Sequence, residues 1–256
     1  MDLRDKVVVI TGASSGFGEL IARRCAAAGG RVVLAARSGE ALSRLAEELG
    51  AERALAVPAD VTDAGDVARL AEATLARFGR ADVLVNNAGF GVFDRVAEAD
   101  LADLQRMMDV NVYGAVRCTQ AFLPHMRARR AGQIVMMASL SGLIPTINMG
   151  FYSSTKHALV AISRAMLVEL AGSGVRCALI CPGESPTGFQ RHALPEKFPN
   201  IVRLTRVRPE QVADATLRAI AHGTHGEVVV PWFGRLLDLL AAPLPGATRL
   251  VMRLVR

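Results

Sequence analysis

Short runs of Val, Ile and Leu recur along this chain, each followed by a longer Ala-rich stretch whose apolar residues fall three and four apart. No other feature limits the fold as tightly. The apolar runs are nearly continuous, as expected of strands buried on both faces, and the longer stretches read as amphipathic helices. Strands are expected at Lys6–Ile10, Arg31–Ala36, Ala54–Val57, Asp82–Asn86, Gln133–Ala138, Val175–Ile180 and Glu227–Val230. Helices are expected at Gly16–Ala28, Gly39–Leu49, Ala64–Phe78, Leu101–Arg130, Phe151–Ala171 and Pro209–His222. Strands separated by helices must pair parallel, through right-handed crossovers. The expected class is therefore α/β, a doubly wound sheet of about seven parallel strands with helices on both faces.

Residues 1–230 read as one domain, with no linker, internal repeat or low-complexity tract. Two segments break the rhythm. Residues 187–208 are irregular and carry Pro195 and Pro199, the pattern of a loop that covers a ligand. Residues 231–256 form an extension rich in Leu, with Trp232 and Phe233 at its start. Arg235, Arg249, Arg253 and Arg256 stand there against Asp238, a net of +3, and Pro243 and Pro245 divide it. Such interleaving suits an attachment surface, for a membrane face or a neighbouring subunit, with ordinary cover of the core as the alternative.

The core must rest on Ala, Val and Leu, because aromatics make up only 5% of the chain. Small side chains let helices pack closely on a parallel sheet. The net charge of +6 would attract nucleic acid, anionic membrane or phosphate. The basic residues are scattered, however, over helix surfaces (Arg23, Arg24, Arg44, Arg69, Arg77), and no nucleic-acid motif accompanies them. No nucleic-acid partner is expected. Cys25, Cys118, Cys177 and Cys181 form no CxxC pair and lie apart from histidine, so they read as buried, reduced side chains and no metal site is expected. His125 and His157 sit on expected helices and need no role. The first strand begins so early that a signal peptide has no room, and no run reaches eighteen apolar residues. A cytoplasmic protein is the expectation, with peripheral membrane contact through residues 231–256 as an option.

Between the first strand and the first helix lies Thr11-Gly-Ala-Ser-Ser-Gly-Phe-Gly18. Gly12 permits a tight turn, while Gly16 and Gly18 let backbone approach a pyrophosphate and let the helix pack on the sheet. At the end of the second strand Ala36 stands where an acid would bind the adenosine ribose hydroxyls. Arg37 beside it is suited to a 2′-phosphate. NADP(H) is the expected cofactor and NAD(H) the alternative. Asp60-Val61, after the third strand, is placed to meet the adenine edge, and Asp60 or Thr62 is a rival candidate for a helix cap.

Tyr152 and Lys156 are four apart, on one face of an expected helix, thirteen residues after Ser139. An ammonium near a phenol stabilises the phenolate and lowers its pKa, which prepares the group for acid/base work near neutral pH.

The glycine turn, Asn86-Asn-Ala-Gly89 at the end of strand four, Asn111, Ser139, Tyr152-Ser-Ser-Thr-Lys156 and Pro182-Gly183 together resemble the short-chain dehydrogenase/reductase family, over about residues 5–230. The resemblance implies a Rossmann-type domain that moves hydride between a nicotinamide and a carbonyl or alcohol carbon. It implies Tyr152 as acid/base and Ser139 as hydrogen-bond partner of the substrate oxygen. Lys156 would tune Tyr152 and hold the nicotinamide ribose, and Asn111 would bind a water linking Lys156 to solvent. The cofactor would contact Gly12, Ser14, Ser15, Gly16, Phe17, Gly18, Arg37, Asp60, Val61, Asn87, Ala88, Gly89, Tyr152, Lys156, Pro182, Gly183, Ser185 and Thr187. The chain departs from the pattern at Ser185, where an aliphatic residue is common, and at Pro186, which removes an N–H donor. It also carries Ser15 where some NADP-preferring members carry a basic residue.

Phe90, Phe93, Leu143, Ile144, Met149, Phe189 and His192 are the candidate pocket residues, mostly apolar, which suggests a bulky apolar ketone, aldehyde or lipid-like alcohol. The helices around 101–130 and 151–171 resemble those that pair subunits in this family, so a homodimer or homotetramer is expected. A catalytically silent nucleotide-binding regulator or scaffold would lack Ser139, Tyr152 or Lys156, and an epimerase or dehydratase of the extended kind would need a larger substrate domain.

Overall fold

The alternation of apolar runs resolves into a seven-stranded sheet in a computed structural model, which describes residues 3–186 and 205–236. The strands are β1 (Val7–Thr11), β2 (Arg31–Ala36), β3 (Ala54–Pro58), β4 (Val83–Asn86), β5 (Gly132–Met137), β6 (Val175–Pro182) and β7 (Gly226–Val230). All six pairings are parallel, in the order β3-β2-β1-β4-β5-β6-β7. The helices are α1 (Gly16–Ala27), α2 (Gly39–Leu49), α3 (Ala64–Phe78), α4 (Leu101–Met108), α5 (Ala115–Ala128), α6 (Gly150–Glu169) and α7 (Pro209–Ala221).

Successive strand residues face opposite ways, so each strand feeds two cores. Val8, Ile10, Val32, Leu34, Val85 and Ile180 meet Ile21 of α1, Leu42 of α2 and Ile220 of α7. Val7, Val9, Val33, Leu84, Ile134 and Leu179 meet Leu70 of α3, Phe122 and Met126 of α5, and Leu159 of α6. The four cysteines are buried and free. Burial of each thiol pushes its pKa up to about 12, so they stay neutral packing groups.

Most element ends shift by one or two residues from expectation, and three differences go further than that in consequence. The single helix expected over 101–130 is divided: between α4 and α5, residues Asp109–Gly114 form a π-helical stretch around Asn111. The cap of α3 is Asp63, whose side chain accepts from the Asp66 N–H at 2.8 Å; neither Asp60 nor Thr62 fills that place. Asp60 instead accepts from the Thr62 N–H and hydroxyl, because the chain makes one more turn before the helix starts. Asp82 stands just before β4 and ties the strand ends together, accepting from the Val7 N–H at 2.9 Å and from Arg80 and Arg129.

The strand order reverses between β1 and β4. The connections from these two strands leave to opposite sides, which opens a crevice at their carboxyl ends, where such sheets bind ligands.

Candidate active site

The glycine turn fills that crevice. Gly12 has φ +66, and a Cβ on it would lie 2.9 Å from the Ala88 Cα. A Cβ on Gly18 would lie 2.2 Å from the Gly12 carbonyl oxygen, so the turn closes on itself only with glycine there. Asn87 locks it from β4, its Nδ2 donating to the Thr11 carbonyl at 2.9 Å and the Gly12 carbonyl at 3.3 Å. Thr11 Oγ1 accepts from the N–H groups of Asn87 and Ala88, both at 3.0 Å. Ser15 starts α1 without a side-chain cap, so its hydroxyl does not consume the first-turn N–H groups. Ser14 is half-buried and Ser15 exposed, while the Phe17 ring packs on the core beneath α1. The arrangement fits a dinucleotide pyrophosphate: a side-chain-free turn set against an open helix N-terminus.

At the far end of the crevice Arg37 is exposed just past β2, and Ala36 brings no acid. Burial would raise the Asp60 carboxyl, but the Thr62 N–H and hydroxyl, with the nearby Arg37 and Arg117 guanidinium groups, hold it below the usual range. Val61 is buried, its methyl pressed against Gly114 of the π stretch.

Ser139, Tyr152 and Lys156 converge at the ends of β5 and β6. Ser139 caps a short turn, accepting from the Ser141 N–H at 3.1 Å, and its hydroxyl lies 3.5 Å from the Pro182 carbonyl. The next turn packs on α6, since a Cβ on Gly142 would touch the Lys156 carbonyl. Lys156 Nζ donates to the Met137 carbonyl at 2.9 Å and sits 5.8 Å from the centre of the Tyr152 ring. Tyr152 and Lys156 are both buried. The expected lowering of the phenol by Lys156 is not what governs here. Burial drives the Tyr152 pKa well above its ordinary value, with a hydrogen bond to Ser139 pulling the other way. Burial likewise lowers Lys156 to about 8. Burial thus shifts both groups towards their neutral forms, and the Lys156 ammonium donates to the Met137 carbonyl.

Asn111 also joins the site. Its Oδ1 accepts from the Phe90 N–H at 2.9 Å, and its Nδ2 donates to the Phe90 carbonyl at 2.9 Å and Thr155 Oγ1 at 3.1 Å. Thr155 Oγ1 in turn donates to the Tyr152 carbonyl at 2.8 Å. The amide thus clamps the segment after β4 against α6. Gly89 fits beneath it; a Cβ there would be 3.0 Å from Asn111 Oδ1 and 3.7 Å from Lys156 Nζ.

The apolar pocket residues divide. Phe93, Met149 and Tyr152 cluster with Met107, with Phe90 against them, and Phe93 meets the Tyr152 ring edge-on at 5.5 Å. Leu143 instead is half-buried and packs against the core cluster that holds Phe122 and Leu159. Ile144 is half-buried. Pro182 ends β6 and Gly183 donates to the Val230 carbonyl at 2.6 Å. The Ser185 hydroxyl is buried and donates to the Val207 carbonyl at 2.9 Å. Thr187, Phe189 and His192 lie outside the described residues. Thr11 and Thr155 went unread in the sequence: a threonine ending a strand or inside a helix carries no outward sign of a hydrogen-bonding duty.

Comparison with known proteins gives one answer. The family model described as short chain dehydrogenase matches residues 6–197. The chain is 39% identical over 217 residues to a meso-2,3-butanediol dehydrogenase of Serratia marcescens, covering 83% of this chain and 86% of the relative. The solved 3-ketoacyl-(acyl-carrier-protein) reductase of Brucella melitensis, complexed with NADH, superposes with a TM-score of 0.83 at 32% identity, over 90% of this chain and 98% of that one. A short chain dehydrogenase/reductase of Burkholderia phymatum in complex with NAD gives 0.85 at 30% identity, over 95% of both chains.

Proposed function

The chain belongs to the short-chain dehydrogenase family of NAD(P)-dependent oxidoreductases, and we propose that it prefers NADP(H) and interconverts a bulky apolar carbonyl compound and its alcohol, with Tyr152 as acid and base. The observation that supports this most is the meeting of Ser139, Tyr152 and Lys156 beside Gly89, one step from the glycine turn. When bound, the nicotinamide supplies or accepts the hydride at the substrate carbon.

The turn from Gly12 to Gly18 and the open N-terminus of α1 hold the pyrophosphate. Arg37 pairs with the 2′-phosphate, while Ala36 leaves no carboxylate to repel it. Asp60 and Val61 border the adenine, and Asn87, Ala88, Gly89, Pro182, Gly183 and Ser185 line the path towards the nicotinamide. Lys156 binds the ribose hydroxyls. Phe90, Phe93 and Met149 form an apolar wall beside the reacting oxygen.

Burial keeps the Tyr152 phenol protonated through neutral pH, the form needed to donate to a carbonyl oxygen. Ser139 gives that oxygen a second hydrogen bond as negative charge develops. The phenolate left behind stays in the field of the Lys156 ammonium, whose nitrogen lies 5.8 Å from the ring centre. In the alcohol direction the same phenolate takes the proton back.

Cofactor selection tests the reading at Arg37. Affinities for NADPH and NADH are to be measured for the native chain and for the double variant Ala36→Asp, Arg37→Leu. The native chain is expected to favour NADPH and the variant NADH, each by roughly tenfold or more, about 1.4 kcal/mol. A native chain that binds both equally contradicts the assignment.

A further inference from the structure

Among the described residues the buried charged side chains are Asp82, Lys156 and Glu184. Asp82 ties strand ends together and Lys156 stands beside Tyr152, which leaves Glu184 with no duty yet. It follows β6 by two residues and is 9% exposed. A buried carboxylate is costly unless it is paired. Arg206 supplies the cation, its Nε 3.2 Å from Glu184 Oε2, and reaches in from a more exposed position.

The backbone beside this pair is fastened on two sides. Gly183 donates to the Val230 carbonyl at the end of β7. On the other side a Cβ on Gly183 would lie 2.1 Å from the Thr205 carbonyl oxygen. The Val207 N–H donates to the Glu184 carbonyl at 2.8 Å, and the Ser185 hydroxyl returns a bond to the Val207 carbonyl. Residues 183–186 belong to no helix or strand, and Pro186 brings no N–H, so no ladder fixes them. Neutral hydrogen bonds alone would let such a segment shift at small cost. With Glu184 in place, a shift strips a buried carboxylate of its cation, and that penalty makes the position all or none.

From these observations we propose that Glu184 is a positioning residue: its pairing with Arg206 holds the Gly183–Ser185 backbone where it orients the nicotinamide ring. The proposal rests on the cofactor reading above, in which that backbone lines the path to the nicotinamide. Hydride transfer depends on a ring held closely in place, so a loosened segment would disorder the ring before it released the cofactor.

NADPH itself reports on this, because emission of the dihydronicotinamide rises when the ring is immobilised. Affinity and emission at saturation are to be measured for the native chain, Glu184→Gln, Arg206→Met, Arg206→Lys and the double variant Glu184→Gln, Arg206→Met, with NADH as the probe if the native chain binds only that. In Glu184→Gln the emission gained on binding is expected to fall about twofold or more while Kd moves by less than about threefold, since phosphate contacts supply most of the affinity. Arg206→Met should lose as much, and Arg206→Lys, which keeps the charge, should retain most of the native gain. The double variant should lose no more than the worse single one, as expected of two residues that act as a unit. Should Glu184→Gln not fold, Arg206→Met carries the test with the same outcomes. Native emission in these variants overturns the proposal, as does a loss of affinity as large as the loss of emission, which marks a general structural role. A native chain that binds neither NADPH nor NADH overturns the cofactor reading itself, and the proposal with it.

Discussion

Lys156 is the residue whose environment differs most from its sequence neighbourhood. The folded chain binds its proton more weakly than the unfolded chain, with a pKa near 8 against 10.5. Between those values the unfolded state holds the extra proton, so stability rises with pH across that window. The contribution is fully present above 10.5 and is lost as pH falls through about 8. Lys156→Met removes the titration. Denaturant unfolding of both proteins is expected to show the native chain losing ground to the variant as pH falls from about 10.5 to neutrality. A stability difference independent of pH would mean that Lys156 is not held as described. The same burial explains why the Tyr-Lys spacing misled about the phenol. Spacing fixes which groups are neighbours, but the sign of a pKa shift depends on how much water they lose, and that is set by the cover from Phe93 and Met149.

At the scale of elements, the π stretch between α4 and α5 turns Asn111 toward the end of β4, and three hydrogen bonds depend on it. Asn111→Ala leaves the Phe90 N–H and carbonyl without that partner. It is expected to cost about 2–3 kcal/mol of stability, read by denaturant unfolding, and to lower turnover more than it changes cofactor affinity. A variant as stable and as active as the native chain would show the clamp to be idle. Helices with strong end signals were legible to the residue: α2 runs from the residue after Ser38 to the one before Gly50, and α3 from after Asp63 to before Gly79. The π stretch was not. Val110 and Val112 continue an ordinary helical pattern, and only the polar Asn111 between them hinted at a separate duty. The cap of α3 was misplaced because Asp60, Thr62 and Asp63 are all competent caps, and the path of the chain decides among them.

Over the whole molecule, a doubly wound parallel sheet was legible once seven apolar runs alternated with helices, because one crossover hand leaves few arrangements, while the strand order came from the fold itself. The reversal between β1 and β4 then places the glycine turn, Gly89, Asn111, Ser139 and α6 at one edge, although they are spread over most of the sequence. What pattern alone left out is how they interlock: Thr11 and Asn87 fasten the turn, and Thr155 fastens Asn111 to the Tyr152 backbone. The central claim is that this edge moves hydride with Tyr152 as the proton donor. The direct measurement is NADPH consumption against a panel of apolar ketones and aldehydes by the native chain and by Tyr152→Phe, with cofactor affinity determined for both. The account predicts turnover by the native chain, a loss of about 10²–10⁴-fold in the variant, and cofactor binding that is nearly unchanged. Turnover by Tyr152→Phe at the native rate would contradict it.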